Sequence, residues 1–365
     1  MPFRYTYIKR LLFVLTGALL LQACNKEFEE VDPTPPEINK PGPTGTVTLA
    51  EIINTDTSFS FLKAAVAKAG LNSVLSNANL RLTLFAPDNN AFRRSGIPSE
   101  AVIISLLDTA TVRSVVSYHL APEYLPAESI PATFPNLQYP TFLNPAPQVS
   151  PLLRLTIFPS NSANGAYVNT IPITAVNTQA SNGVLHRVAA LVAPPSKSMY
   201  ELITADTTLT YLVAALNRAD SGRTTIEDAS LIEGLKSIGA NLTLFAPTNT
   251  AFKQLLTGMG LPASPLVFES LPVGTVRGLI AYHLLNVRAF SVNIPTTPTN
   301  IPTLLNSAIP THPGINVVAS FTGPFVTSFK VTGVANGGAS ATVIAQDIHG
   351  YNGVVHKIDR VLLPQ

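Results

Sequence analysis

Residues 182–186 read Asn-Gly-Val-Leu-His, and residues 352–356, which lie 170 positions later, read Asn-Gly-Val-Val-His. In both copies a mostly apolar segment follows and ends at a proline, which is Pro194 in the first copy and Pro364 in the second. Asn-Gly is a strong turn signal, because both residues tolerate positive φ. Each copy therefore predicts a turn that leads into the last strand of a domain, and two such ends predict two domains of one kind.

Two earlier patterns also occur twice and in the same order. Residues 48–51 and 198–201 both fit the Ser/Thr-x-x-Glu pattern of a capping box, which predicts the first turn of a helix. Residues 82–87 and 242–247 both read Leu-Thr-Leu-Phe-Ala-Pro. The apolar run predicts a buried strand that the proline ends, and the next residue is a good N-cap for a helix. The repeat therefore extends over most of the chain.

Each copy contains two histidines at motif positions, one after a tyrosine at the end of a helix and one in the Asn-Gly block. His119 follows Val112 and Val116 at helical spacing, and His186 shares one strand face with Val184. A metal or acid–base site is the alternative, but polar residues on apolar faces are usually hydrogen-bonded members of the core. We predict a structural role for the repeated motif residues Tyr118, His119, Asn182, Gly183, His186, Tyr282, His283, Asn352, Gly353 and His356.

Residues 1–23 have the form of a lipoprotein signal peptide. Basic residues occupy the start, and an apolar run at 11–21 follows, which is too short to span a bilayer as a helix of about 20 residues. The run ends in Leu-Gln-Ala-Cys, which is similar to the lipobox of bacterial lipoproteins, and Cys24 is the only cysteine in the chain. We therefore predict that Cys24 is lipidated and that the membrane is one partner of this protein.

Residues 24–45 are acidic and rich in proline, which predicts a disordered tether. The acids directly after Cys24 are similar to a loose signal that carries some lipoproteins to the outer face of the cell. The predicted location is therefore the outer membrane, lipid-anchored at the cell surface, with the periplasmic leaflet as the alternative. The predicted domains after the tether are residues 46–195 and 196–365.

The charge of the two domains excludes one class of partner. Residues 46–195 carry eight basic and seven acidic side chains, and residues 196–365 carry ten and nine, so each domain has a net charge of +1. Nucleic-acid binding needs a basic surplus that neither domain has, so we expect no nucleic-acid partner. Hydrophobic residues make up 46% of the chain and charged residues only 12%, which is typical of an exported, strand-rich protein with a sizeable core.

The repeated blocks resemble those of the fasciclin (FAS1) family over nearly all of residues 46–365. The strand-to-helix block at 83–92, the Tyr-His pair and the closing block at 352–364 carry the resemblance, and all three occur twice. The first copy departs from the pattern where Ala189 and Ala190 replace the usual Ile-Asp step. The resemblance implies an α+β fold of two tandem domains, each a β-sandwich or wedge flanked by helices. It also implies extracellular adhesion or ligand binding without catalysis.

The chain contains none of the common catalytic signatures, such as Gly-x-Ser-x-Gly, a Walker loop or His-Glu-x-x-His. Asp347, His349 and Tyr351 could form part of a metal site, but one histidine and one carboxylate make a poor site. A surface turn is the preferred interpretation of this segment. We expect no catalytic residue, no metal and no cofactor.

The connection after the first Tyr-His pair is the predicted place of ligand contact. Residues 121–147 hold seven prolines, and loops carried by a rigid scaffold are the usual site of recognition. Proline restricts such a loop before binding, so less entropy is lost on contact. The candidate ligand contacts in this loop are Tyr124, Phe134 and Tyr139, whereas Phe142 is expected to pack on its own domain.

The sequence thus predicts a membrane-anchored lipoprotein of the cell envelope that mediates adhesion or binds an extracellular protein or glycan. The alternative is a glycan-binding accessory of an outer-membrane polysaccharide uptake system. The aromatic residues of the proline-rich loop favour that alternative, and the absence of tryptophan from the chain opposes it. A third possible class of function is enzymatic, and no sequence motif supports it.

Overall fold

The computed structural model describes residues 42–132, 134, 137–162 and 164–365. The predicted signal peptide at 1–23, the lipidation site Cys24 and most of the predicted tether at 24–45 lie outside the described residues. Residues 43–365 form one compact unit. In the part of the chain that the structure describes, no helix is long and apolar enough to cross a bilayer.

The first half of this unit, which we call module 1, mixes helices with strands. Its helices are α1 (Leu49–Thr55), α2 (Ser60–Ala69), α3 (Asn72–Leu75), α4 (Asn89–Arg94), α5 (Glu100–Ser105) and α6 (Thr109–Tyr118). Its strands are β1 (Leu82–Pro87), β2 (Leu120–Ala121), β3 (Tyr139–Pro140), β4 (Thr156–Ile157), β5 (Pro159–Ser162), β6 (Gly165–Val168), β7 (Ile171–Ala180) and β8 (Gly183–Val188). Thr48 caps α1 and forms the predicted capping box with Glu51.

The second half, module 2, repeats this order. Its helices are α7 (Met199–Ala205), α8 (Thr210–Ala219), α9 (Leu231–Lys236), α10 (Asn249–Gly258) and α11 (Val273–Tyr282). Its strands are β9 (Leu242–Pro247), β10 (Leu284–Leu285), β11 (Thr299–Ile301), β12 (Ile315–Thr322), β13 (Phe325–Thr332), β14 (Ala341–Gly350) and β15 (Gly353–Ile358). Short 3₁₀ turns at Ala127–Ser129 and Ser291–Asn293 occupy matching places after β2 and β10.

The main sheets of the two modules share a strand order, and the sheet of module 2 has one further strand at its edge. The order is β2-β1-β8-β7-β6-β5 in module 1 and β10-β9-β15-β14-β13-β12-β11 in module 2. In module 1, β1 and β8 are parallel neighbours, with Leu84 opposite Leu185. In module 2, β9 and β15 are parallel neighbours, with Leu244 opposite Val355. The prediction of two domains of one fold, with sheets flanked by helices, is therefore confirmed.

Strands β1 and β9, which contain the repeated Leu-Thr-Leu-Phe-Ala-Pro motif, bury both of their faces, as their mostly apolar sequence predicts. In module 1, Leu82 and Leu84 pack into a cluster with the helices. Phe85 points to the opposite side and packs with Ile157 and Val168. Module 2 repeats this alternation along its own motif strand. Side chains alternate along a strand, so one short motif supplies both layers of the core.

The Asn-Gly turn joins the last strand to the first helices. Asn182 Oδ1 accepts a hydrogen bond from Leu49 N at 2.9 Å, and its Nδ2 donates to Leu75 O at 2.8 Å. A Cβ on Gly183 would lie 2.2 Å from Leu82 O, so only glycine fits between the two parallel strands. The second copy makes the same asparagine contacts.

One strand is shorter than the sequence indicates. Residues 153–158 have a strand-like composition, yet β4 covers only Thr156–Ile157. Its partner is the two-residue β3. Turns at residues 147–149 and 151–152 precede β4, and the second includes Pro151, which cannot donate a backbone hydrogen bond to a sheet.

Candidate functional site

The histidine at the end of a helix ties each module's helix to its C-terminal segment. His119 Nδ1 donates to Val115 O at 2.8 Å, and its Nε2 accepts from Val192 N at 2.9 Å. His283 makes the corresponding contacts in module 2, at 2.8 and 3.0 Å. A carbonyl can only accept, so both imidazoles are neutral and carry the proton on Nδ1. Burial lowers the pKa of each of these histidines to about 4.

The strand histidine of module 1 connects β8 to a bulge in β7. His186 Nε2 donates to Leu125 O at 2.8 Å, and its Nδ1 accepts from Asn177 N at 3.3 Å. Asn177 has a φ of 62°, at a place where the register of β7 shifts. Burial lowers the pKa of His186. Both ring nitrogens of His186 are thus used inside the fold.

The same contacts in module 2 show which residues of the two modules correspond. His356 Nε2 donates to Ala289 O at 2.8 Å, and its Nδ1 accepts at 3.2 Å from the bulge of β14. Ala289 therefore corresponds to Leu125. The preceding residues, Arg288 and Tyr124, correspond as well, and one of them is a predicted ligand contact.

Tyr124 lies at the side of module 1 where β7 bulges. Its Oη donates to Gln179 Oε1 at 2.9 Å, and both residues are half-buried. Asn177 Oδ1 accepts from Ala127 N at 2.8 Å, and Asn177 Nδ2 donates to Glu128 Oε1 at 3.0 Å. These bonds fix the 3₁₀ turn against β7. We call the surface formed by Tyr124, Glu128, Asn177 and Gln179 the bulge face.

Arg288 holds the corresponding position in module 2, where it is only 3% exposed. Its Nη1 donates to His349 Nε2 and its Nη2 to Tyr351 O, both at 3.1 Å. Its guanidinium carbon lies 4.6 Å from the centroid of the Phe158 ring of module 1. Module 1 therefore covers Arg288 of module 2. Tyr124 holds the corresponding position in module 1 and lies on the bulge face.

Arg288 keeps its charge without an acidic partner. Among the described residues, no carboxylate lies within ion-pair distance of Arg288, and its Nε has no hydrogen-bond partner. Burial lowers the pKa of Arg288 to about 10, so the guanidinium stays protonated at neutral pH. Burial, together with the charge of Arg288, lowers the pKa of His349 to about 3. The Phe158 ring supplies the stabilising partner for this cation.

Other contacts across this junction surround the Arg288–Phe158 pair. Tyr167 Oη donates to Pro324 O at 2.8 Å, and Asn293 Nδ2 donates to Ser160 Oγ at 3.0 Å. A buried apolar cluster contains residues of both modules, which are Phe158, Tyr167, Phe290, Val292 and Val354. The two modules thus share a small core.

The three predicted ligand contacts have three different surroundings. Tyr124 lies on the bulge face. Phe134 is half-buried and packs against the cluster of module 2 on the side of the sheet away from the helices. Tyr139 is half-buried in β3 and packs against the corresponding cluster of module 1. Phe142 packs against the helices of module 1, as expected.

The surface turn predicted around Asp347 and His349 is wrong, because both residues lie within β14. Strand β14 continues to Gly350 through a shift of register around Asp347, and Asp347 Oδ1 accepts from Ser291 N at 2.8 Å. His349 accepts from Arg288 instead of facing solvent. Within the described ranges, no group of three or more His, Cys, Asp or Glu is placed to hold a metal ion.

The sequence reasoning missed Arg288 and Phe158. A signal was present in the repeat itself, since Arg288 stands where the first copy has Tyr124. The residue after Ala289 is Phe290, where the first copy has Pro126. Module 2 thus has a phenylalanine and an arginine at two nearby positions where module 1 has neither. Such a difference indicates a surface that is buried in module 2 alone.

The chain is similar in sequence to one described family of domains. The family model described as Fasciclin domain matches residues 57–194 and 217–364, which is more than half of the chain. A solved structure, the "FAS1 Domain Pair from the Insect Cell Adhesion Molecule Fasciclin I", covers 83% of this chain and 95% of its own, with 14% identity and a TM-score of 0.36.

Three relatives show how far the similarity extends. Transforming growth factor-beta-induced protein ig-h3 of Sus scrofa is 30% identical over 222 residues, which are 60% of this chain and 28% of that protein. Periostin of Homo sapiens is 28% identical over 291 residues, or 77% of this chain and 28% of periostin. Protein sll1483 of Synechocystis is 28% identical over 211 residues, or 58% of this chain and 96% of that protein. This chain thus spans 28% of the length of the two animal relatives.

Proposed function

The chain belongs to the fasciclin domain family, and on this premise we propose that it is a non-catalytic, lipid-anchored protein of the cell envelope that mediates adhesion. Its two modules bind an extracellular partner, and Cys24 carries the lipid that holds them at the outer membrane. Family membership supports the adhesive role, and the lipobox-like sequence before Cys24 supports the anchor.

The observation that carries this proposal is the relation between Tyr124 and Arg288. In module 2 the position of Arg288 contacts another protein surface, which is that of module 1. In module 1 the position is held by the half-buried Tyr124, and Val176, which precedes Asn177 of the bulge face in the chain, is 44% exposed. A tyrosine with an apolar body and a polar tip is among the residues that dominate protein interfaces. This relation supports the bulge face as a contact surface for a partner.

The other two candidate residues have supporting roles in this proposal. Phe134 and Tyr139 contact the bodies of the modules, so each holds the proline-rich connection in place. Their remaining exposed edges extend the surface available to a ligand. The single residue on which recognition depends most is Tyr124.

Attachment of living cells tests the proposal. Deletion of the gene in the native bacterium is expected to lower attachment to surfaces or to other cells, and the wild-type gene is expected to restore it. A gene encoding Cys24→Ala should not restore it, because the unlipidated protein is not retained on the cell. Unchanged attachment after deletion, together with a loss of growth on a polysaccharide, would replace adhesion with the uptake role.

A further inference from the structure

A crevice of about 270 Å³ lies at the junction of the two modules. One wall is the β5–β6 hairpin of module 1, and the opposite wall is the segment 292–296 of module 2. Phe134 closes one side. The hydrogen-bonding side chains that line it are Ser160, Asn161, Ser162, Asn164, Asn293 and Thr296. We call this crevice the junction pocket.

The lining of the junction pocket is uncharged and mixes hydrogen-bonding residues with apolar ones, which are Ala132, Phe134, Val292, Ile294 and Pro295. Among the described residues that line it, there is no Asp, Glu, Lys, Arg or His. A phosphate, carboxylate or amine ligand would find no opposite charge there, and a purely apolar ligand would leave the amides and hydroxyls unpaired. An amide side chain offers donors and an acceptor side by side, and a hydroxyl is both donor and acceptor. This lining therefore matches a ligand rich in alcohol groups.

Asn293 lines this pocket and has a buried hydrogen-bonding atom without a partner. Its Nδ2 donates to Ser160 Oγ at 3.0 Å, whereas its Oδ1 is buried without a partner among the described residues. Exchange of the amide nitrogen and oxygen would not remove the vacancy, because Ser160 Oγ could then donate to the oxygen and leave the nitrogen unpaired. A buried polar atom without a partner is destabilising, so a small rotation of the Asn293 amide towards the pocket would be favoured when a ligand hydroxyl supplies the missing bond.

Phe134 supplies the apolar side of the junction pocket. The ring is half-buried and packs against the sheet-side cluster of module 2 while it lines the crevice. Its position is thus supported from behind. Ligand sites commonly combine such an aromatic surface with a few polar groups that fix orientation.

We propose that the junction pocket binds one ring of a neutral saccharide. Asn293 and the neighbouring amides and hydroxyls bond the sugar hydroxyls, and the C–H face of the ring packs against Phe134. This assignment rests on the proposed role as an extracellular binding protein and names the chemical class of its ligand. Residues of both modules build the pocket, so the junction contacts of Tyr167 and Arg288 keep it preformed.

Titration of the full-length protein with methyl glycosides tests this assignment. The probes are the methyl glycosides of glucose, galactose, mannose and N-acetylglucosamine, with saturation-transfer NMR as the readout. We expect saturable binding of at least one probe. Asn293→Ala and Phe134→Ala should each weaken it about tenfold, since each removes one contact of ordinary strength.

Two variants keep the test independent of folding. Asn161→Ala changes an exposed residue of the pocket wall, so it is expected to fold normally and to weaken binding. Asn79→Ala changes an exposed asparagine far along the chain in module 1 and should leave binding unchanged. If no neutral glycoside binds, or if Asn293→Ala and Asn161→Ala bind as well as the wild type, the pocket is not a saccharide site.

The outcome is separable from that of the adhesion proposal. If Tyr124→Ser cells lose attachment and the wild-type protein binds no glycoside, the saccharide site is overturned and adhesion still stands. The opposite result has two parts: the protein binds a glycoside in a way that depends on Asn293, and cells that lack the gene attach normally. That result would support the saccharide site and overturn adhesion.

Discussion

The guanidinium of Arg288 in module 2 lies 4.6 Å from the centroid of the Phe158 ring in module 1, and both side chains are buried. The described residues place no carboxylate within ion-pair distance of this arginine. The ring is therefore both the apolar cover and the electrostatic partner of the charge. A contact of this kind couples the folding of the two modules, because separation would expose the shared core around Phe158.

Replacement of Phe158 by Ala should destabilise the protein by about 3–5 kcal/mol, the usual loss for a buried phenylalanine. The Arg288 charge would lose its ring, and the modules should then unfold separately. Urea denaturation followed by circular dichroism is expected to change from one transition to two. Phe325→Ala is the control, since Phe325 is 66% exposed and its loss should change stability by no more than about 0.5 kcal/mol. A single unshifted transition in Phe158→Ala would contradict this coupling.

The buried histidines predict that stability falls with acid. The pKa of His119 and of His283 is about 4 in the folded protein, below the ordinary 6.5. The unfolded chain thus binds more protons between these values. The stabilisation is complete above pH 6.5 and is lost as pH falls towards 4, by about 3 kcal/mol for each histidine. Urea unfolding from pH 7 to pH 4.5 measures this loss.

A variant isolates the contribution of one ring. Glutamine cannot be protonated in this pH range. The unfolding free energy of His119→Gln should therefore fall less steeply than that of the wild type between pH 6.5 and 4.5, and the two slopes should differ by up to the value for one bound proton. The variant should also be less stable at pH 7, because Val192 N or Val115 O loses its partner. An unfolding free energy of the wild type that stays flat over this range would show that these histidines do not resist protonation.

The Asn-Gly turn predicts a position at which even one methyl group is not tolerated. Gly183→Ala would place Cβ 2.2 Å from Leu82 O, so the two parallel strands would have to separate. We expect a loss of several kcal/mol or failure to fold, judged by thermal melting. Gly278→Ala is the matched control, because its Cβ would meet Leu305 Cδ1 at 3.9 Å and alanine favours a helix by about 0.5–1 kcal/mol. Equal melting temperatures for the two variants would refute the close approach.

Much of the fold could be predicted because the same structural motifs occur twice in the sequence, in the same order. The capping box at Thr48, the strand at 82–87 and the turn at Asn182 are local signals, and each appears in the structure where the sequence indicated. Burial of His119 also followed from helical spacing alone. These features depend on near neighbours in the chain, so a single sequence contains the information.

The junction could not be predicted in the same way. Phe158 and Arg288 are 130 residues apart, and no local pattern states that they meet. Phe134 likewise packs on module 2 while it belongs to a loop of module 1, so its role depends on how the modules dock. Strand β4 covers only two of residues 153–158, because the backbone N–H of Leu153 bonds back to Ser150 O in the preceding turn.

Mass spectrometry of the mature N-terminus checks the proposed anchor. We expect the chain to begin at Cys24 with a diacylglycerol on the thiol and a further acyl chain on the amine, since two or more chains are needed for stable membrane binding. Cys24→Ala should release the protein from the membrane fraction. An unmodified Cys24, or a mature chain that begins at another residue, would contradict lipidation.

The most direct measurement of the adhesive role is the retention of cells under shear flow when only Tyr124 differs. Cells with Tyr124→Ser should detach at lower shear than wild-type cells, at equal surface amounts of protein and nearly equal melting temperature. Cells with Leu266→Ser, which removes a 69% exposed apolar side chain of module 2, should be retained like the wild type. Equal retention of Tyr124→Ser and wild-type cells would contradict the bulge face as the contact surface.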